Sequence, residues 1–221
     1  TKEDMIRVFA APLSAPIVMV FDLWTYYYSS WPKVSTLYGP VMGKRLTFLA
    51  RAFYDMPYLR KPEESDRFQW PTEPKPWTMK LNVFVAPPAP TGQGSYGSYI
   101  GPSVAQGPRH YYCNQQLGQH HIGREDCLAL SVYSHELPSF HRSPHAPTIS
   151  YIHGALFVAG DAWTHAAFNG ESIAVKREVV VICLQYRLGV FGFLALEELR
   201  QEIGSTGNYG MMDQRACAEM D

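Results

Sequence analysis

The sequence predicts an α/β fold in which strands and helices alternate through the second half of the chain. Three observations carry this reading. Val179 to Leu184 is an unbroken β-branched and apolar run, the pattern of a central parallel strand covered on both faces. Cys127–Tyr133 and Thr148–Ile152 are two further short runs with strand character. Residues 171–178 and 192–202 have helical character and follow strands in the order expected of a parallel sheet.

The chain has 221 residues, enough for one domain with a sizeable core. Apolar residues make up 46% and charged residues 18%, which argues against a largely disordered chain. The net charge of -1 offers no electrostatic reason to expect nucleic acid or an anionic membrane as the main partner. The apolar stretch from Val8 to Phe21 is too short to span a bilayer and contains Pro12 and Pro16. Residues 1–33 are therefore read as an N-terminal extension, either a degenerate signal peptide or a poorly ordered segment. The chain starts at Thr1 and stops within a helical stretch at Asp221, so both ends read as cut.

Val34 to Leu49 is apolar and β-branched, broken by Gly39-Pro40 and Gly43, and reads as a β-hairpin or short meander. Residues 54–77 are rich in Pro and aromatics without periodicity and read as a surface loop. Residues 86–109 are rich in Pro, Gly and Ser and read as a long loop or insertion. After the strand at 148–152 come His153 and Gly154. Gly192 to Glu202 reads as one amphipathic helix carrying Leu194, Leu196 and Leu199. Residues 204–210 are turn-rich, and Met211 opens another helix with Asp213 in its first turn, where a carboxylate suits the helix dipole.

Two patterns are set aside. Gly92–Gly97 matches G-x-G-x-x-G, yet it follows Pro87, Pro88 and Pro90 rather than a strand, and no helix opens after it. All eight histidines fall between His110 and His165, but no C-x-x-C spacing is present and adjacent His120 and His121 point apart, so no metal site is expected. The four cysteines, Cys113, Cys127, Cys183 and Cys217, fit either a reduced set or a disulfide in an oxidising compartment, and spacing alone does not choose.

The chemistry is expected at Tyr151–Phe157, where a strand ends in His-Gly followed by small residues and Phe. An oxyanion loop is built this way: backbone N–H groups must face a developing negative oxygen, and small side chains let the backbone come close. Other segments bear on this one. Glu125–Tyr133 (Glu-Asp-Cys-Leu-Ala-Leu-Ser-Val-Tyr) resembles the "EDCLYLNVY" strand of type-B carboxylesterases and cholinesterases. Gln185–Leu194 resembles their "NYRLGVFGFL" block and Gly207–Gln214 their "GNYGLLDQ" block. Val34–Gly43 resembles their opening hairpin, and Phe53–Tyr58 with Arg67-Phe68 their "F-x-G-I-P-Y … R-F" loop. The five blocks follow the family's order over residues 34–221.

That resemblance implies the N-terminal part of an α/β-hydrolase fold, with a mostly parallel central sheet and an N-terminal antiparallel hairpin. It implies a carboxylic ester hydrolase lineage with no cofactor and a small-molecule ester as substrate of an active full-length protein. It places the oxyanion-hole N–H groups at Ala155 and Leu156, within a loop begun by His153 and Gly154. The family usually has Gly-Gly or Gly-Ala there. A side chain at 156 is expected to resist glycine-like dihedrals and to crowd the acyl pocket. The resemblance also implies a disulfide between Cys113 and Cys127, which favours an extracellular or secretory setting. It implies structural ion pairs of Arg67 with Glu125 and of Arg187 with Asp213. The family's nucleophile is a Ser in G-x-S-x-G about thirty residues past the last block, and these 221 residues contain no such motif. Residues 34–221 are thus expected to be a partial domain, truncated before its nucleophile elbow and inactive by itself. The alternative is a non-catalytic cholinesterase-like adhesion or binding protein.

Overall fold

The computed structural model describes residues 32–47, 50–60, 62, 67–78, 81–82, 113, 115–117, 120–123, 125–135, 146–162 and 170–220. The loop expected at 86–109 and almost all of the extension expected at 1–33 lie outside these residues.

Ten strands and four helices are described. In chain order the strands are β1 (Lys33–Ser35), β2 (Pro40–Met42), β3 (Lys44–Thr47), β4 (Ala50–Pro57), β5 (Leu81–Asn82), β6 (Gln115–Leu117), β7 (His120–Ile122), β8 (Ala129–His135), β9 (Thr148–Ile152) and β10 (Val180–Leu184). The helices are α1 (Gly170–Arg177), α2 (Gly189–Phe193), α3 (Glu197–Ile203) and α4 (Tyr209–Ala218). The central sheet has the order β3-β4-β8-β10-β9. A small sheet, β1-β2-β5, contains the expected antiparallel hairpin, with Val34 opposite Val41.

β9, α1 and β10 form a βαβ unit: β9 and β10 are parallel, with Thr148 beside Val180 and Ile152 beside Leu184. Within the central sheet this pair alone is parallel, and in the small sheet β2 and β5 also run parallel. β3–β4, β4–β8 and β8–β10 are antiparallel. The chain passes β8 to the outer strand β9 first and returns through α1, so β10 enters between them against the sense of β8.

β10 is covered on both faces, as its composition predicts. Leu184 joins Tyr58, Leu130, Tyr186, Leu188 and Cys217 of α4 on one face. Val181 and Cys183 pack with Ala174 of α1 on the other. β9 stands at the sheet edge, and Ile149 and Ile152 are exposed there.

The structure corrects three sequence readings. Residues 50–57 form a full strand, so the expected loop from residue 54 starts too early. Arg51 and Asp55 interrupt the apolar pattern, and the pairing with β8 shifts register between Phe53 and Met56, with Asp55 at a φ of 50°. The single helix expected at 192–202 is two, because Leu194 and Leu196 adopt extended dihedrals. Asp213 lies beyond the first turn of α4, and its carboxylate is taken by Arg187 rather than by the helix end.

Candidate functional site

The site begins where the parallel pair β9–β10 stops. In an open α/β sheet, ligands gather beyond the carboxyl ends of parallel strands. Here two segments meet at that end: residues 153–162 after β9 and residues 185–189 after β10.

His153 is buried, and its ring stacks on Tyr186 with centroids 4.4 Å apart. The Tyr186 hydroxyl donates to the His153 carbonyl at 2.8 Å. The His153 Nδ1 lies 3.1 Å from the Gly154 carbonyl oxygen. Burial lowers the imidazole pKa, against smaller opposing effects from the Gly154 carbonyl, Asp161 and Gln185. Gly160 closes over this ring at a φ of +118°, and a Cβ there would stand 2.6 Å from Nδ1. Glycine at 160 is therefore required both by dihedral and by space.

Ala155, Leu156 and Phe157 follow with φ of 85°, 56° and 62°. Three consecutive non-glycine residues in the left-handed region are unusual, and each costs roughly 1–2 kcal/mol relative to an ordinary conformation. The turn is held from both ends. Val158 N–H donates to the Ala155 carbonyl at 3.1 Å, and Gly189 N–H donates to the Phe157 carbonyl at 2.8 Å. The Phe157 ring packs on Phe193 at 5.0 Å. Among the described residues, no backbone carbonyl accepts from the N–H of Ala155 or Leu156. The Leu156 side chain is 89% exposed. It adopts the glycine-like dihedrals it was expected to resist, and within the described residues it meets open space.

This geometry makes a stability prediction. Leu156→Gly removes a left-handed penalty and loses almost no packing. The expected gain is about 0.5–1 kcal/mol, after allowing for the greater unfolded-state entropy of glycine. It would be read as a higher urea midpoint at unchanged slope. A lower midpoint would show that position 156 does not hold this conformation.

The other sequence-derived residues act around this loop rather than in it. Cys113 and Cys127 are joined by a disulfide, with both residues buried in the core cluster that contains Tyr58 and Leu188. Arg67 and Glu125 form a two-pronged pair, each contact 2.7 Å, on a partly exposed surface. Arg187 and Asp213 form a buried pair: Nε to Oδ2 is 2.9 Å and Nη2 to Oδ1 is 2.8 Å. Arg187 also donates from its main chain to Asp213 Oδ2 at 3.0 Å and from Nη1 to the Gln69 carbonyl at 3.0 Å. Gly192 and Gly210 press on the Arg187 carbonyl, where an added Cβ would come within 2.2 and 2.4 Å. The segment carrying Tyr186 is thereby fixed against α2 and α4.

Tyr186, Gln185 and Gly160 were not singled out from the residues themselves. The available signal was parity: Gln185 continues the alternation of Val181 and Cys183 past the end of β10. Among the described residues no group of His, Cys, Asp and Glu could hold a metal ion, and no helix is long and apolar enough to cross a membrane.

The sheet order, the βαβ unit and the loop beyond it define the N-terminal part of an α/β-hydrolase fold. Solved structures agree. A PNB esterase superposes with a TM-score of 0.65 at 26% identity, covering 85% of this chain and 33% of that one. Aspergillus niger EstA shares the fold with a TM-score of 0.63 at 22% identity, covering 86% of this chain and 32% of that one. The model of the carboxylesterase family matches residues 30–219, and the chain belongs to that family. It is 31% identical to liver carboxylesterase 1 of Mus musculus over 191 residues, 84% of this chain and 31% of that protein. It is 28% identical to juvenile hormone esterase of Tribolium castaneum over 212 residues, 92% of this chain and 31% of that protein. The chain thus spans about a third of the length of these relatives.

Proposed function

We propose that residues 34–221 are the N-terminal part of a serine-type carboxylic ester hydrolase domain, that residues 1–33 are an extension to it, and that the loop from His153 supplies its oxyanion hole. The observation that carries this is the pair of N–H groups at Ala155 and Leu156, without backbone acceptors among the described residues, on a turn held open by Tyr186 and Gly189. In acyl transfer such donors stabilise the negative oxygen that forms when a nucleophile adds to the ester carbonyl. A serine activated by histidine, itself oriented by a carboxylate, would supply the attack in a full-length enzyme. These 221 residues hold no G-x-S-x-G, so the proposed division of labour leaves this chain with the oxyanion donors and without the nucleophile.

The purified 221-residue chain is therefore expected to turn over no p-nitrophenyl ester and to take no label from a fluorophosphonate probe. Stoichiometric labelling would overturn the reading of the chain as a partial domain. The departure from glycine at Leu156 favours a second reading, a cholinesterase-like binding protein. A coding sequence that continues into G-x-S-x-G and later acid and histidine residues supports the enzyme, and one that lacks the serine supports the binding protein.

A further inference from the structure

Beneath the loop lie buried polar atoms that the arrangement described above does not use. Continuing the β9–β10 register one step past Ile152 and Leu184 sets His153 beside Gln185. Strand alternation puts both on the face that holds Tyr151, Val181 and Cys183. The main chain of Gln185 is occupied: its N–H donates to the Ala129 carbonyl at 3.0 Å, and its carbonyl accepts from the Tyr58 hydroxyl at 2.6 Å. Its side chain is fully buried, and among the described residues neither Nε2 nor Oε1 reaches hydrogen-bond geometry. The same holds for His153 Nε2. The amide is nonetheless close enough to act on the ring, and which of its two ends faces Nε2 is set by the ring's own protonation. Buried polar groups with no partner are rare in folded proteins, and adjacent ones of complementary chemistry point to each other.

The opposite edge of the ring decides what Nε2 needs. Nδ1 faces the Gly154 carbonyl, which only accepts, so Nδ1 carries a proton. Burial disfavours the charged ring. A neutral imidazole protonated at Nδ1 presents a lone pair at Nε2, and the Gln185 amide carries N–H donors. Tyr186 stacked on one face, with Gly160 packed close to Nδ1, keeps the ring from turning away. Asp161 and Tyr186 are the titratable groups that face it.

We propose that Gln185 is a positioning residue: its amide donates to His153 Nε2, holds the ring in the Nδ1–H tautomer, and so clamps the Gly154 carbonyl and the turn that carries the Ala155 and Leu156 N–H groups. The purpose of this device rests on the oxyanion reading of the loop, but its existence does not. It also accounts for how three left-handed residues persist beside a flexible glycine at 154.

The test is long-range ¹H–¹⁵N spectroscopy of the imidazoles in the full 221-residue chain near pH 7. His153 is expected to be neutral and protonated at Nδ1, the minority tautomer of free imidazole, with Nε2 shifted upfield as a hydrogen-bond acceptor. In Gln185→Met, which keeps length and removes the donors, the Nε2 upfield shift is lost. Amide exchange at Val158 and Gly189, whose N–H groups hold the turn, then speeds up roughly fivefold, the loss of one ordinary hydrogen bond. An Nε2–H or doubly protonated ring in the unmodified chain overturns the proposal. So does an unchanged Nε2 shift in the variant. Should Gln185→Met not fold, the tautomer and shift of the unmodified chain decide the matter. None of these readouts involves ester turnover, so they stand or fall separately from the esterase reading.

Discussion

Replacing Asp213 by Ala is expected to destabilise the chain by about 3–5 kcal/mol, the cost of leaving a buried cation without its counter-charge. The carboxylate is completely buried and takes three contacts from Arg187, two from the guanidinium and one from the main chain. With it gone, the guanidinium keeps the Gln69 carbonyl and the face of Tyr209, 5.5 Å away, neither of which carries a full negative charge. Total stability of a domain is typically about 5–15 kcal/mol, so the variant loses a large share of it. Equilibrium urea unfolding measures the loss. The double variant Arg187→Met/Asp213→Leu is expected to recover most of it, since apolar replacements of similar volume avoid the desolvation of both charges. A single-variant loss under about 1 kcal/mol would place Asp213 in the class of exposed pairs. Arg67 and Glu125 belong to that class: their geometry is as good, but both are partly exposed, and Glu125→Gln is expected to cost well under 1 kcal/mol.

The second large effect is expected from the disulfide. Cys113 and Cys127 are separated by 14 positions, and both are buried among apolar neighbours. The pair Cys113→Ala/Cys127→Ala is expected to lose about 3 kcal/mol in the loop-entropy picture. Much of this reflects freedom returned to the unfolded chain, so the loss should appear as a lower midpoint with a larger urea slope. Reduction of the unsubstituted chain should have nearly the same effect, because buried thiols pack as small apolar groups. Equal unfolding curves with and without reductant would show that the bond contributes nothing to stability.

Much of the fold was legible because its strands are written in composition. The run 179–184 must be buried on both sides, and the structure puts a cluster against each face. β4 was harder to see because Arg51, Tyr54 and Asp55 mix polar and apolar residues along a strand with a register shift. The break at 194–196 was not legible at all. Locally the segment has leucines at helical spacing, but in the fold Leu194 and Leu196 are extended and the Leu196 N–H donates to the Thr206 hydroxyl, a partner outside the segment. The parallel sheet expected from the lineage is only begun in the described strands, at β9–β10.

The candidate site divides the same way. His153 and Gly154 stand out at a strand end, whereas the partners of the ring come from residues 160 and 185–186 and are brought there only by folding. The ion pairs came from resemblance, since no spacing rule links Arg187 to Asp213. The dihedrals of Leu156 could not be read, because leucine normally avoids them and the surrounding bonds impose them.

The long-range pairing of β4 also bears on synthesis. β4 lies against β8, and Tyr58 just after it is bonded to the carbonyl of Gln185, 127 positions later. At 5–20 residues per second, the ribosome needs roughly 4–16 s to make the roughly eighty residues between β4 and its partner strand. Through that interval Phe53, Tyr54 and Tyr58, which end up buried, have no finished core to enter. A nascent chain of this design presents a sticky N-terminal strand for seconds, and its yield in cells should depend on holdase chaperones more than its final stability suggests.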